Sequence, residues 1–484
     1  MSISGALSNA LSGLTASARA AEVVSTNVSN ALTEGFARRE LGLSSRSLGG
    51  EGAGVRIDGV SRVVNRSVLG DRRLADAAAA NAGLRQQFHA GLERSIGTSD
   101  QAGSLTARMD DLESALIAAA SRPDSEARLQ QVLVGATDLA RTINTVSGDI
   151  QAARMAADHE IAAQVTALND ALVRIDDLNA TILAQRSAGS DATALMDQRQ
   201  LLVDRVSAIV PVREVQRDHD QISLYTTGGA VLLEGNPVMV GFSAVGVITP
   251  DMTQASGALS GLTLNDRPMR TTEDGVLGGG SLAALFAVRD ELAVSAQGQL
   301  DAVARDLIGR FAAPGVDPTL ATGAAGLFAD GGLAFDPLDE VGLSARLSVN
   351  ALANPAEGGA LWRLRDGLGA AAPGDVGNAA ILQALAGALA APQIPASGSF
   401  LGAARSASGL AADLLSQVSG ARQSADDASA FAGARQSTLA IALASDGVDT
   451  DAEMQSLLMI EQSYAANARV ISALDEMIRQ ILGM

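Results

Sequence analysis

The sequence predicts a mainly α, elongated, multidomain chain, and three observations lead there. Apolar residues make up 47% of the 484 positions and aromatics only 2%, so a core must be built from Ala, Leu, Val and Ile, which suits closely packed helices. Residues typical of strands gather only around 209 to 248. Both ends of the chain carry residues at alternating steps of four and three, the spacing that keeps one helical seam facing a partner. The length exceeds what one core usually holds, so two or three domains are expected.

At the start, the spaced positions are Leu7, Leu11, Leu14, Ala18, Ala21, Ser25, Val28 and Leu32. At the end they are Leu457, Ile460, Tyr464, Asn467, Ile471, Leu474, Ile478 and Ile481. Paired coiled-coil helices are expected over 1–33 and 452–484, although surface helices of one globular core fit the same pattern. Asn467 favours ordered association, because a polar seam residue costs stability but fixes register. The N-terminal seam is small and Ala-rich, and a helix with so weak a seam is marginal alone. Pairing only on assembly is therefore expected.

A helical domain follows over 34–312 and 404–451. Its helical periodicity runs from Leu105 to Arg186 with a break near Ser121–Asp124. A helix from Ser125 to Arg186 would be on the order of 90 Å long at about 1.5 Å per residue. The next helix, Leu195–Ile209, stops at Pro211. A β-rich excursion near 212–268 contains strand-like Gln221–Thr226 and Ala230–Leu233, with Gly228-Gly229 and Asn236-Pro237 as turns, which together fit a small antiparallel sheet. Helical spacing returns at Leu282, Leu285, Phe286, Leu292, Leu300, Val303, Leu307 and Phe311, with Ser281 as the expected cap. Residues 313–403 turn to Gly, Pro, Ala and Asp and are expected to form a looser outer exposed module, α/β or irregular. Its ends should lie near each other, and shortening it should leave the flanking helices intact. A helix resumes from Ala403 to Leu443, and Asp449-Thr450-Asp451 reads as the acidic start of the last one.

Composition excludes several functions. A net charge of −19 and a pI near 4.6 leave no basic stripe for nucleic acid or an anionic membrane. All 35 basic residues are Arg, which removes Schiff-base and phosphate-loop lysines. There is no Cys, hence no disulfide, thiolate nucleophile or cysteine-based metal site. The opening Met1-Ser2-Ile3-Ser4-Gly5 lacks the basic and apolar regions of a cleaved signal. The charge-free stretch Val376–Ala404 is too interrupted by polar residues, Gly and Pro to span a membrane, and a buried helix over Ala379–Ala391 is expected instead.

No catalytic, cofactor or metal site is expected. His159-Glu160 lacks the second zinc ligand, since Ala163 stands four residues on; His89 and His219 are scattered. Gly278-Gly279-Gly280-Ser281 precedes a helix but no Lys follows. Asp446, Asp449 and Asp451 lack the glycine and terminal glutamate of a calcium loop. Asp110-Asp111 and Asp176-Asp177 diverge by about 100° on a helix and are solvated pairs.

The segment Ser25-Thr26-Asn27-Val28-Ser29-Asn30-Ala31-Leu32-Thr33-Glu34-Gly35-Phe36 closely resembles the signature of the flagellar rod, hook and hook-associated axial protein family, usually written A-N-N-I-A-N-x-N-T-P-G-Y. Asn27, Asn30, Thr33 and Gly35 match and Phe36 is a conservative replacement; Glu34 replaces the proline. Gly447-Val448-Asp449, Glu453-Met454, Gln462 to Ile471 and Asp475-Glu476-Met477 resemble the family's closing helix. The interior resembles the helical domain of the hook-associated members at Asp177-Leu178-Asn179, Ala194 to Asp204, Gly279 to Leu282, Phe286, Arg289-Asp290-Glu291 and Gln299-Leu300. The likeness covers roughly 1–312 and 404–484 and fades over the outer module.

The resemblance implies a structural subunit of the hook–filament junction, needed for filament assembly, and no enzyme. It implies a short tube of about eleven copies of the chain at the distal end of the hook. Its other partners would be the hook protein, a second hook-associated junction protein (FlgL) and a cytoplasmic export chaperone (FlgN-like), with no nucleic acid and no membrane insertion. It further implies unfolded export through the flagellar type III channel to the cell exterior. The expected assembly interface is Leu7, Leu11, Leu14, Val28, Leu32, Leu457, Ile460, Tyr464, Asn467, Ile471, Leu474, Ile478 and Ile481. A rod or hook subunit is the structural alternative, and a wall-remodelling enzyme the more distant one.

Overall fold

The computed structural model describes residues 3–48, 51–400 and 402–483. Met1, Ser2 and Met484, at the outer limits of the expected terminal helices, lie outside them. Helices dominate, and the sheets are small and antiparallel. The first helix, α1 (Ile3–Ser29), leads into a two-stranded ribbon of β1 (Arg39–Leu48) and β2 (Glu51–Arg62). Then come α2 (Arg66–Ile96), α3 (Leu105–Ser121), α4 (Glu126–Ser187) and α5 (Thr193–Ile209). With 62 residues, α4 spans about 90 Å at 1.5 Å per residue and is the strut on which the other elements pack.

The β excursion forms two sheets. β3 (Val212–Gln216), β4 (Ile222–Thr226), β5 (Val231–Glu234) and β6 (Asn236–Pro237) make a meander. β7 (Val240–Gly241), β8 (Leu262–Leu264) and β9 (Arg267–Met269) make the other. Asn236-Pro237, expected as a turn, is a short strand paired back onto β5, and Gly235 makes the reversal. Next, α6 (Ser281–Ala287) passes through one π turn, Val288–Leu292, into α7 (Ala293–Phe311). Ser281 is not the cap of α6. Gly280 occupies that position, and Ser281 Oγ donates to Gln164 Oε1 on α4.

The π turn carries Arg289, which is fully buried with Asp158 of α4 at 2.6 Å and lies against the rings of Phe286 and Phe242. Beside it the buried Arg154 donates to the carbonyls of Arg289, Thr249 and Met252, which binds the loop after β7 to the strut. Each guanidinium serves several acceptors at once, as a planar fork can and an ammonium cannot.

Residues 313–403 contain β10 (Phe328–Asp330), α8 (Leu343–Arg346), β11 (Leu347–Val349), α9 (Arg363–Asp366) and α10 (Ala380–Ala390). The last matches the buried helix expected there, and among the described residues no helix is long and apolar enough to cross a membrane. The expectation of a separate, looser module is corrected here. Phe328, Leu343, Leu364, Leu382 and Leu389 belong to the same hydrophobic core as α3, α4 and α7. Asp301 of α7 accepts from the backbone N–H groups of Gly342 and Ser344 at 2.8 Å, capping α8. Arg310 of α7 donates to the carbonyls of Ala388 and Ala391 at the end of α10 and of Arg405 on the return strand. The ends of the excursion do meet, but they meet through a buried network.

The chain returns in α11 (Ala407–Ser445), capped by Ser406 and laid along α2, and ends in α12 (Thr450–Leu482). Asp449 caps α12 by accepting from Asp451 and Ala452, as its sequence suggested. Between α2 and α11 runs a polar ladder: Gln86 to Asp426, Ser419 to Glu93, and Gln436 to Asp76.

Two predictions follow from this packing. Arg310→Met leaves three carbonyls and Asp306 without their buried partner, so urea unfolding should show a loss of about 3–5 kcal/mol, the usual cost of removing one member of a buried pair. His89 of α2 is held below the ordinary histidine pKa by burial and then by the charge of Arg85. A depressed pKa gives stability that is present above the ordinary value and is lost as pH falls through the lowered one. The drop in Tm between about pH 7 and about pH 5 should therefore be smaller in His89→Gln than in the parent chain.

Candidate functional site

The matched signature folds into a knot that joins four parts of the chain. After α1, Asn30 N–H donates to Thr26 O and Asn30 Nδ2 folds back to the same carbonyl at 2.9 Å. Thr33 N–H donates to Asn30 O, its hydroxyl to Asn30 Oδ1, and Phe36 N–H to Thr33 O. Gly35 takes φ 77° and presses on α5: a Cβ there would stand 2.5–3.0 Å from the Leu201 side chain, so both backbone and space require glycine. The Phe36 ring lies under the guanidinium of Arg39 at 4.9 Å.

Asn27 is the centre of the knot and is 1% exposed. Its Nδ2 donates to Arg39 O at 2.9 Å and to Glu453 Oε1 at 3.1 Å, while Arg39 N–H donates to its Oδ1 at 2.9 Å. Glu453, in the first turn of α12, is 3% exposed and also accepts from Arg38 Nε at 2.8 Å. On α5, Asp197 pairs with Arg39 at 3.3 Å and with Arg62 at 2.7 Å. Burial lowers the Arg62 pKa against the pull of Asp197. The N-terminal helix, the ribbon, the helical domain and the C-terminal helix are thus pinned at one place. Asn65 Nδ2 adds a further tie, donating to Asp446 Oδ2 in the turn before α12.

The terminal helices pair within one chain, where the sequence led to pairing only on assembly. In α12 the expected seam is the inner face. Leu474 is buried, and Leu457, Ile460, Asn467, Ile471 and Ile478 are half-buried, while Tyr464 and Ile481 are exposed. In α1 the expected seam is not the inner face. Leu7 and Leu11 are exposed, Leu14 and Val28 are half-buried, and Leu32 is fully exposed beyond the helix end. The buried residues are Ala10, Ala16, Val23, Val24 and Asn27. The cause is close approach. Gly13 faces Asn467 so tightly that a Cβ would stand 2.8–3.0 Å from the asparagine side chain. On another side of α1, Ser12 Oγ accepts from Val55 N–H of β2, and Gly54 leaves room for it.

Sequence reasoning gave no element to residues 37–104 and so missed the ribbon, α2 and the roles of Arg38, Arg39, Arg62 and Asp197. The ribbon is rich in Ser and Gly, which carry little strand signal; its one alternating stretch is Val55 and Ile57 set against Arg56 and Asp58 in β2. Among the described residues no cluster of side chains could hold a metal ion.

Comparison with known proteins finds flagellar relatives. Residues 91–317 match the model of the flagellar hook-associated protein FlgK helical domain, and residues 442–484 match that of the flagellar basal body rod FlgEFG protein C-terminal region. Flagellar hook-associated protein 1 of Escherichia coli K12 is 25% identical over 241 residues, covering 48% of this chain and 44% of its own. The Salmonella typhimurium protein of that name is 24% identical over 48% of this chain and 43% of its own, and that of Bacillus subtilis 22% over 47% of each. The chain spans less than half the length of the curated relatives it matches. The solved hook junction protein FlgK of Burkholderia pseudomallei aligns over 54% of this chain and 46% of its own, at 20% identity and a TM-score of 0.43. The two family matches, one to the helical domain and one to the C-terminal end, both fall among flagellar axial proteins. Within that class the interior match and the curated relatives support a likeness to flagellar hook-associated protein 1, FlgK.

The knot makes a direct prediction. Asn27→Asp sets a second carboxylate against buried Glu453 and removes the donor to Arg39 O, at a cost of about 2–4 kcal/mol. Hydrogen exchange should rise in the first turns of α12 and in β1, while α4 stays protected.

Proposed function

We propose that the chain is a structural subunit of the bacterial flagellum that forms the hook–filament junction and is required for filament assembly on the hook. The observation that carries this reading is the Asn27–Glu453 bond, which lays the two terminal helices side by side as one rod joined to the helical domain. In this reading 1–33 and 452–484 are the unit that packs along the flagellar axis. Residues 34–312 with 404–451 stand outside it, and 313–403 are outermost.

The apolar side chains that intrachain pairing leaves exposed, among them Leu7, Leu11, Tyr464 and Ile481, face neighbouring copies in a ring of about eleven subunits. Leu32, exposed beyond α1, joins that surface, whereas Leu14, Val28, Leu457, Ile460, Asn467, Ile471, Leu474 and Ile478 support it from within by holding the two terminal helices together. Hook protein lies on one side of the ring and the second junction protein on the other. Export to the cell exterior and protection of α12 by a chaperone beforehand belong to the same reading. The role is structural rather than enzymatic.

Deleting the gene should give hooks without filaments and flagellin released into the medium; intact filaments would overturn the assignment. Complementation with Leu474→Asp, which puts a charge in the buried part of the α12 seam, should fail to restore filaments. Electron microscopy of hook tips reads both strains.

A further inference from the structure

Where β2 ends against α2, α5 and the edge of β3, the structure holds a cleft of about 470 Å³. Five arginines line it, Arg62, Arg66, Arg73, Arg186 and Arg199, against two carboxylates, Glu214 and Asp220. In a chain of net charge −19 this is a local reversal of sign.

The partners of these arginines leave positive charge over. Arg186 pairs with Asp220 at 2.8 Å, and Arg62 is held by Asp197 and Gln200. Arg73, 3% exposed, gives Nε to Asp204 and Nη1 to Glu214, and its Nη2 has no protein partner. Arg199 Nη1 donates to Asn179 Oδ1 and to the Asp220 carbonyl, both neutral, and Arg66 donates to Gln216 Oε1. Among the described residues no carboxylate lies within ion-pair distance of Arg199 or Arg66. Burial lowers the Arg199 pKa to about 10, with Arg62 and Arg73 adding to it and the charges of Glu214 and Asp220 only partly opposing it. Leu69, Val203 and Ile222 form an apolar wall that strengthens any charge interaction inside. A buried guanidinium without an anion is costly, and the planar fork matches phosphate and carboxylate oxygens.

We propose that this cleft binds an oxyanion of phosphate or carboxylate type through Arg66 and Arg199, with the buried Arg73 adding positive charge from beneath. The oxyanion comes either free from solution or as an acidic side chain of a neighbouring copy. It clamps the base of the ribbon to the helical domain, next to the knot that holds the chain ends.

The test titrates inorganic phosphate into the full chain by calorimetry and thermal unfolding, with chloride at equal ionic strength as control. Saturable binding and a rise in Tm of about 2–5 °C at high phosphate are expected. Arg66→Gln, on an exposed residue, should weaken phosphate about tenfold while leaving the phosphate-free Tm unchanged, and Arg199→Gln should weaken it further. If Arg199→Gln does not fold, Arg66→Gln alone decides. Phosphate binding that is absent, or unchanged in the folded variants, overturns the site. Sedimentation of the parent chain at rising concentration separates the two sources. Phosphate that loosens self-association identifies a neighbour's carboxylate as occupant, and association indifferent to phosphate identifies a free anion.

Discussion

The arrangement depends on one interaction used three times: a helical asparagine whose side-chain amide closes both backbone groups of a strand residue. Asn27 of α1 does this to Arg39, Asn169 of α4 to Val240, and Asn179 of α4 to Ile222, each giving Nδ2–H to the carbonyl and taking the N–H on Oδ1. Arg39 and Val240 stand on edge strands and Ile222 at the start of β4, beyond the reach of β5, so their backbone groups would otherwise lack partners on one side, and a buried group without a partner costs about 1–3 kcal/mol. The amide acts as one residue of a missing strand. Because it bonds both groups of a single residue, it also sets the register of the strand along the helix, where a one-residue slip would turn every side chain to the other face. A mostly helical chain can in this way carry sheets too small to stand alone.

Arginine does the complementary work at helix ends and loops. Arg154 and Arg310 each hold three backbone carbonyls, and Arg289 spans Asp158, Asp290 and the Ser260 carbonyl. Burial alone would lower the Arg289 pKa, but the hydrogen bonds and charges of Asp290 and Asp158 outweigh it and hold it raised. These three forks account for how residues 313–403 and the loop after β7 share a core with the helices despite their glycine-rich sequence. A composition in which every basic residue is Arg therefore has a structural use, whatever its origin.

What the sequence made legible was periodic. The strut from Glu126 to Ser187, the helices ending at Ile209 and Phe311, and the acidic cap of α12 were all readable from spacing and caps. The ribbon and α2 were not, since Ser and Gly carry little strand signal and the many alanines of α2 blur its apolar periodicity. Loose packing was inferred for 313–403 from Gly and Pro, but the region is fixed by Asp301 and Arg310 of the preceding helix α7, whose buried partners lie 41 to 95 residues further on. The knot was half legible. Its signature was recognisable in Asn27, Asn30, Thr33 and Gly35, yet the partner of Asn27 lies 426 residues on, where no local pattern points to it.

The two terminal helices show how one surface can serve two states. The inner face of α1 is small, with Ala10 and Gly13 at the contact and Asn27 joined to Glu453 at its base, and it is α12 that brings larger apolar side chains, Leu457, Ile460, Ile471, Leu474 and Ile478, to the pair. Other apolar side chains, Leu7, Leu11, Leu458, Met459 and Val470, stay outside. Had they faced inward, the pair would be a finished coiled coil with nothing left to offer a neighbour. Facing outward, they leave an apolar band that further helices could cover, while the chain's net charge of −19 sets repulsion between copies against it. That repulsion is screened by salt and falls off within about 8 Å at physiological ionic strength, whereas apolar burial is not screened. Copies held apart at a distance are therefore free to gain from contact once they are placed side by side. That balance is what the proposed role as a flagellar junction subunit requires.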